Sequence, residues 1–335
     1  MMMKMKKKEL VKNLKTPWYI TLINKYRMQL GLVVITAMVL VLFMIGSPRA
    51  FLSGNIYRTF LSTIPFVGIM ALGLTLILAS GQIDLSFPST MALSGYAFAV
   101  IFTMTESVFL GLVVALLAGA LIGIGNGLLV TKIGIPPIIV TLGMMFFIRG
   151  VVHVLAGGLA VPLRALSGTN WFKVFSGTFV GIPVQSVWFL LLGVFLWFIL
   201  FRHRLGDSIL FIGDNEETAG MMGINVHRTK IVAFAIMGML AAFAGVLDLF
   251  RLRTWWPTMG EGYLMTTMAA VFVGGTSMFG GEGTIFGTFI GAFLIGSLEA
   301  GIVASGMSGF WTQLIYGLLI IVSVTIHTLL RRKSK

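Results

Sequence analysis

Residues 107–130 run SVFLGLVVALLAGALIGIGNGLLV, with no charged side chain among them. A bilayer's hydrocarbon core of about 30 Å is crossed by roughly 20 apolar residues in helical conformation. The apolar positions do not alternate with polar ones, as they would in strands of a closed barrel, so the stretch reads as a transmembrane helix. Gly119, Gly123 and Gly127 recur at four-residue spacing along one face of it. Such a face lets the backbone of a neighbouring helix come close. A second run of the same kind, Gly283, Gly287 and Gly291, opens a later apolar stretch.

Outward from this segment the same reading gives ten spans. The other nine lie at about 30–47, 60–80, 87–104, 134–155, 184–201, 231–250, 263–280, 285–305 and 310–328. The fold class is therefore all-α, a polytopic integral membrane protein. The 335-residue chain is 57% hydrophobic and 10% charged, against about 25% charged residues in soluble domains. Lipid must cover much of such a surface. Residues 30–330 form one transmembrane domain, preceded by a basic segment at 1–29 that would lie along a membrane face.

The formal net charge of +13 follows topology rather than nucleic-acid binding. With both termini inside, seventeen Lys and Arg fall on cytoplasmic segments and six on external ones, and Arg149 lies within a span. That is the bias expected of a multi-pass protein of the cytoplasmic (inner) membrane with both ends cytoplasmic. The N-terminal MMMKMKKKELVKNLK resembles the start of a signal peptide, but no small-residue cleavage site follows, and an uncleaved first span is expected. Its Lys residues with Trp18 and Tyr19 suit anionic lipid headgroups.

Several chemistries have no residues to support them. The chain has no cysteine, and its four histidines lie far apart, so no metal site is expected. There is no Gly-Lys pair for a phosphate-binding loop, no His-Glu-x-x-His and no nucleophile elbow. Catalytic residues are not expected, and any ATP hydrolysis belongs to another subunit.

Two apolar stretches are interrupted. One is Gly81-Gln82-Ile83-Asp84-Leu85-Ser86-Phe87-Pro88-Ser89; the other is Gly274-Gly275-Thr276-Ser277 followed by Gly280-Gly281-Glu282-Gly283. Broken helices in both halves of a transporter point to its solute pathway, although each is also compatible with an ordinary tight turn. Candidate pathway residues are thus Gln82, Asp84, Ser86, Gly274, Gly275 and Thr276. Ionisable groups inside spans are functional hypotheses because burying them is costly. They add Arg149 and Glu299, either as a structural clamp or as solute contacts, with Asp248 near the end of the seventh span. Trp255-Trp256-Pro257 reads as an interfacial belt, or else as a contact for an external partner.

The two longest connections, about 157–183 and 202–230, lie on opposite faces and are natural docking surfaces. In the second, Asn215 is a helix N-cap, Glu216 and Glu217 place negative charge in the first turn, and Gly223 ends a helix of about two turns. Ala219 stands mid-helix, where a partner groove would tolerate no bulk.

Taken in order, Met70-Ala71-Leu72-Gly73-Leu74-Thr75, Ile83-Asp84-Leu85-Ser86, Ile133-Gly134-Ile135-Pro136-Pro137, Gly213-Asp214-Asn215, Ala219, Gly223-Ile224-Asn225-Val226 and Val273-Gly274-Gly275-Thr276-Ser277 resemble permeases of ribose/xylose-type ABC monosaccharide importers. The resemblance covers about residues 60–328. It departs at Gln82, where the family has a second glycine, at Phe87-Pro88, and at Asp214, where the coupling loop has a second glycine; these departures bear on which solute is carried.

The resemblance implies a type II ABC importer-like permease fold and translocation of a pentose, hexose or related polyol by alternating access. It implies a second permease chain, identical or not, cytoplasmic ABC ATPase subunits holding ATP and Mg, and an extracellular or periplasmic sugar-binding protein. It makes 202–230 the ATPase coupling loop, with Gly213, Asp214, Asn215, Glu217, Ala219 and Gly223 as its residues. The alternatives are an autonomous secondary transporter or channel, and an ABC permease for nucleosides or branched-chain amino acids.

Overall fold

In the computed structural model, residues 27–334 are described; the expected headgroup contacts of the first 26 residues, Trp18 and Tyr19 included, lie outside them. The chain is helical through most of its apolar stretches. In order, the helices are α1 (Arg27–Gly46), α2 (Gly54–Ala79), α3 (Phe87–Thr105), α4 (Val108–Leu128), α5 (Pro137–Ala156), α6 (Trp171–Ser176), α7 (Val184–Arg202), α8 (Arg204–Asp214), α9 (Glu216–Met221), α10 (Val226–Leu252), α11 (Tyr263–Val273), α12 (Ile285–Ala304) and α13 (Phe310–Ser334). Among the described residues, eight helices are long and apolar enough to cross a bilayer. The other two expected spans fall on α11 and α13.

At 1.5 Å per residue, the 11-residue α11 covers only about half of a bilayer core. The remainder of that span, 274–280, is non-helical, as is the chain on to residue 284.

Two short antiparallel ribbons lie at one end of the bundle. β1 (Val161–Pro162) pairs with β4 (Thr254–Trp255), and β2 (Thr178–Phe179) pairs with β3 (Ile182–Pro183). This end is called the 157–183 face, and the opposite end, holding α8 and α9, the 203–225 face.

The glycine run of α4 performs the expected packing. A Cβ on Gly119, Gly123 or Gly127 would overlap the backbone of Gly238, Phe234 or Ile231 of α10, so these helices touch main chain to main chain. Gly287 and Gly291 do the same for α12 against Gly274 and Ala270. α10 and α2 form the centre, with α3 and α4 on one side and α11 and α12 on the other. Over the 157–183 end of α10, α6 adds Phe175, whose ring lies 4.9 Å from that of Phe250. Most side chains of α1, by contrast, face outward. With little hydrophobic drive between helices in lipid, such close backbone contacts and buried hydrogen bonds hold the bundle.

Both predicted interruptions are present and end their helices in the same way. At the end of α2, Gly81 has φ +72°, and the Gln82 N–H donates to the Ile77 carbonyl at 3.1 Å. At the end of α11, Gly275 has φ +89°, and the Thr276 N–H donates to the Val271 carbonyl at 3.2 Å. Each is a Schellman cap with glycine in the left-handed position. The first interruption is shorter than expected: Phe87, Pro88 and Ser89 already belong to α3, with Pro88 in its first turn, where its missing N–H costs nothing.

Candidate functional site

The first break brings Asp84 and Ser86 together. Asp84 is buried, and its Oδ1 accepts from both the N–H and the Oγ of Ser86, each at 2.7 Å. Ser86 Oγ in turn accepts from Asn126 Nδ2 of α4 at 2.8 Å. The carboxylate therefore holds main chain freed by the break, as non-helical backbone at membrane depth requires. Gln82 is buried beside it, with Oε1 lacking a partner, as does the Oδ1 of Asn126. Asn126 was missed in the sequence, where only ionisable residues were singled out within spans; a carboxamide in an otherwise apolar helix was the available signal.

The second break packs against α12. Gly274 lies against the backbone of Gly287 and Thr288, and Thr276 is fully buried. One turn away, Thr75 and Thr288 share a hydrogen bond of 2.7 Å between α2 and α12.

A cleft of about 310 Å³ opens between α2, α11 and α12. Its polar lining is Thr59, Thr63, Tyr263, Thr266 and Glu299. Thr59, Thr63 and Thr266 each donate their hydroxyl to a main-chain carbonyl within their own helix or its cap, which leaves oxygen lone pairs to accept from a ligand. Glu299 accepts from the Tyr316 hydroxyl at 3.2 Å. The sequence reading has Glu299 but not the hydroxyl side chains that line the cleft with it, which come from α2 and α11.

Arg149 is not Glu299's partner. Its Nη1 donates to the carbonyls of Pro257 and Met259, at 2.8 and 2.9 Å. It thereby fastens the 254–262 segment, which folds back along α3. Trp255 is fully buried in that segment and donates from Nε1 to the Ala92 carbonyl at 2.9 Å. It is neither a belt residue nor an external contact, because the segment turns inward; Trp256 is half-buried. Asp248 pairs with Arg251 at 3.0 Å, since α10 extends far enough to carry both on one face.

On the 203–225 face the predicted capping is present. Asn215 Oδ1 accepts from the Thr218 N–H at 2.9 Å. Gly223 has φ +84°, and the Ile224 N–H donates to the Ala219 carbonyl at 3.1 Å, ending α9 in a third Schellman cap. α9 is tied to its own chain by an ion pair of 2.6 Å between Lys230 and Glu216.

Ala219 faces inward and is buried within the chain itself, so its small size answers to the loop's own packing rather than to a partner's groove. The outward groups include Glu217, Met221 and Met222, and Met221 is 76% exposed.

The loop also reaches the two breaks. A Cβ on Gly213, at the end of α8, would overlap the Ala79 carbonyl oxygen and the Gly281 nitrogen. Gly281 itself donates its N–H to the Ala79 carbonyl at 3.0 Å. Asp214, next in the chain, is exposed, and its Cβ lies 3.2 Å from where a Gly281 Cβ would stand.

Residues 56–324 match the protein family described as branched-chain amino acid transport system / permease component. The ribose import permease protein of Escherichia coli K12 is 36% identical over 283 residues, covering 84% of this chain and 87% of that protein. The ribose import permease protein of Bacillus subtilis 168 is 36% identical over 269 residues, 80% of this chain and 82% of its own. The autoinducer 2 import system permease protein of Salmonella typhi is 29% identical over 327 residues, 93% and 94% of the two chains. No solved structure matches.

Proposed function

Because this chain belongs to the branched-chain amino acid transport system / permease component family, we propose that it is the membrane-spanning permease of an ATP-binding cassette importer for a simple sugar, a pentose, hexose or related polyol. The observation that carries the choice of solute is the lining of the cleft between α2, α11 and α12. Three threonines, a tyrosine and one carboxylate line it, and among the described residues none of its lining is cationic. A polyhydroxylated solute donates its hydroxyls to the threonine, tyrosine and carboxylate oxygens present here. The 36% identity to two ribose permeases supports the same reading.

On this reading the 157–183 face is external and the 203–225 face cytoplasmic, with both termini inside. A sugar-binding protein delivers solute to the cleft. A second permease chain, identical or related, completes the pathway, whose walls include the breaks at Gln82–Ser86 and Gly274–Thr276. Separate ATPase subunits carry ATP and Mg and dock on α9 through Glu217, Met221 and Met222. The chain's own contribution is two conformations that solute and nucleotide stabilise unequally.

The test is uptake by proteoliposomes holding the permease, its ATPase and its binding protein, with radiolabelled ribose, other monosaccharides and branched-chain amino acids in parallel. ATP-dependent accumulation of a monosaccharide is expected. Accumulation of an amino acid alone, or uptake without the ATPase, refutes the proposal.

A further inference from the structure

Three stretches of main chain meet at the 203–225 face with no side chain between them. They are the end of α2 at Ala79, the end of α8 at Gly213, and the Gly280-Gly281 corner of the broken span. Gly281 donates to Ala79 at 3.0 Å. Gly280 and Gly281 have φ of +80° and +77°, so the corner turns where only glycine does so freely. Gly213 is different, because its backbone is not left-handed. An alanine there is conformationally acceptable, and the obstacle is space alone: its Cβ would run into Ala79 and Gly281 backbone and stand 3.0 Å from the Ala79 carbonyl carbon, where non-bonded carbons want about 3.5 Å or more.

We propose that Gly213 is the relay through which movement of the α8–α9 loop reaches the solute pathway. It is a positioning residue, touching neither solute nor nucleotide. Gly213 stands three residues before α9, the segment assigned above to ATPase docking, so the inference rests on the importer reading. From the same point the chain bears directly on both breaks. Ala79 leads within five residues to Asp84, and Gly281 leads back to Thr276. Main chain pressed against main chain has no rotamers through which displacement is lost, and closely packed contacts transmit strain. A shift of α8 therefore moves the end of α2 and the broken span together.

The test uses the full transporter in proteoliposomes and reads both ATP hydrolysed and solute accumulated. Gly213→Ala should assemble with the ATPase and hydrolyse ATP near the wild-type rate, while solute moved per ATP falls at least tenfold. Gly143→Ala in α5, where an added Cβ has nothing within 4 Å, should match wild type in both. A Gly213→Ala transporter with wild-type stoichiometry overturns the relay.

If Gly213→Ala does not assemble, Ala79→Cys with Gly283→Cys decides. Their Cβ atoms would be 3.1 Å apart, a few tenths of an ångström under the usual disulfide spacing of about 3.5–4.5 Å, in a chain with no other cysteine. Oxidised transporter that keeps its uptake supports a junction travelling as one piece; uptake lost on oxidation and regained on reduction overturns it. A wild-type complex that hydrolyses ATP but moves no solute refutes the importer reading, and the relay with it.

Discussion

Replacing Arg149 with methionine keeps the aliphatic stem and removes the guanidinium that holds the 254–262 segment. Two donations are lost, to Pro257 at 2.8 Å and Met259 at 2.9 Å. Both acceptor residues are buried, so little water replaces the donor. Hydrogen bonds to charged groups in soluble proteins contribute about 1.5–3 kcal/mol each. Intramembrane bonds average nearer ~0.6 kcal/mol, because the unfolded chain in the bilayer also finds partners.

Arg149 stands near the end of α5, between these environments, and about 1 kcal/mol per bond, or about 2 kcal/mol in all, is the reasonable figure. Arg149→Met should lower the melting temperature in detergent by about 4 °C and reduce uptake several-fold, as β4 and the start of α11 loosen beside the cleft. Arg149→Lys, able to reach one carbonyl, should fall between. Fluorescence-detected thermal melting and initial uptake rates measure the two effects. Unchanged melting and uptake in Arg149→Met would refute the fastening role. Combined with Glu299→Gln the stability losses should add, since the two side chains share no partner.

Asp84→Ala should insert normally yet lose most uptake, because the Ser86 N–H and hydroxyl lose their acceptor; Asp84→Asn, which retains an accepting oxygen, should recover part of it, and equal uptake in all three forms would reject the role. Met221→Glu with Met222→Glu should weaken ATPase co-purification while leaving the isolated permease as stable as wild type; undiminished co-purification counts against docking through α9. Ala219→Arg should instead expose the 214–223 loop to protease in the isolated permease, before any ATPase is added, and a protease-resistant variant would contradict the burial of that position. A cysteine at Ser167 should react with an impermeant maleimide on intact cells, and one at Glu217 only after permeabilisation; the reverse pattern overturns the orientation.

Composition and run length alone expose the spans, because a bilayer demands about 20 apolar residues per crossing whatever they pack against. The breaks are equally legible: Gly81 and Gly275 sit where only a left-handed residue ends a helix, and glycine advertises that. The Gly119, Gly123 and Gly127 face announces a close approach in the same way. Partners are harder to read. Arg149 and Glu299 are the obvious opposite charges within the spans, yet each is satisfied by groups that leave no sequence signature, main-chain carbonyls for one and a tyrosine hydroxyl for the other. Trp255 beside Trp256 looks interfacial until the chain after α10 is seen to turn back. Ala219 is small because of its own loop. The cleft's hydroxyls, spread from Thr59 to Thr266, come together only through the packing of α2 on α11 and α12.

The interlocked backbones of α4 and α10 limit how this molecule changes shape. Gly119, Gly123 and Gly127 rest against main chain over about two turns, and neither helix can slide or roll past the other without collision. Together with α3, fastened to α4 through Ser86 and Asn126 and to the segment after α10 through Trp255, they behave as one slab. What is free to move lies outside it: the walls of the cleft and the loop that carries α8 and α9, with the end of α2 and the broken span kept together at Ala79 and Gly281. A change of shape in this protein therefore carries α3, α4 and α10 as one body and falls on the elements packed around them.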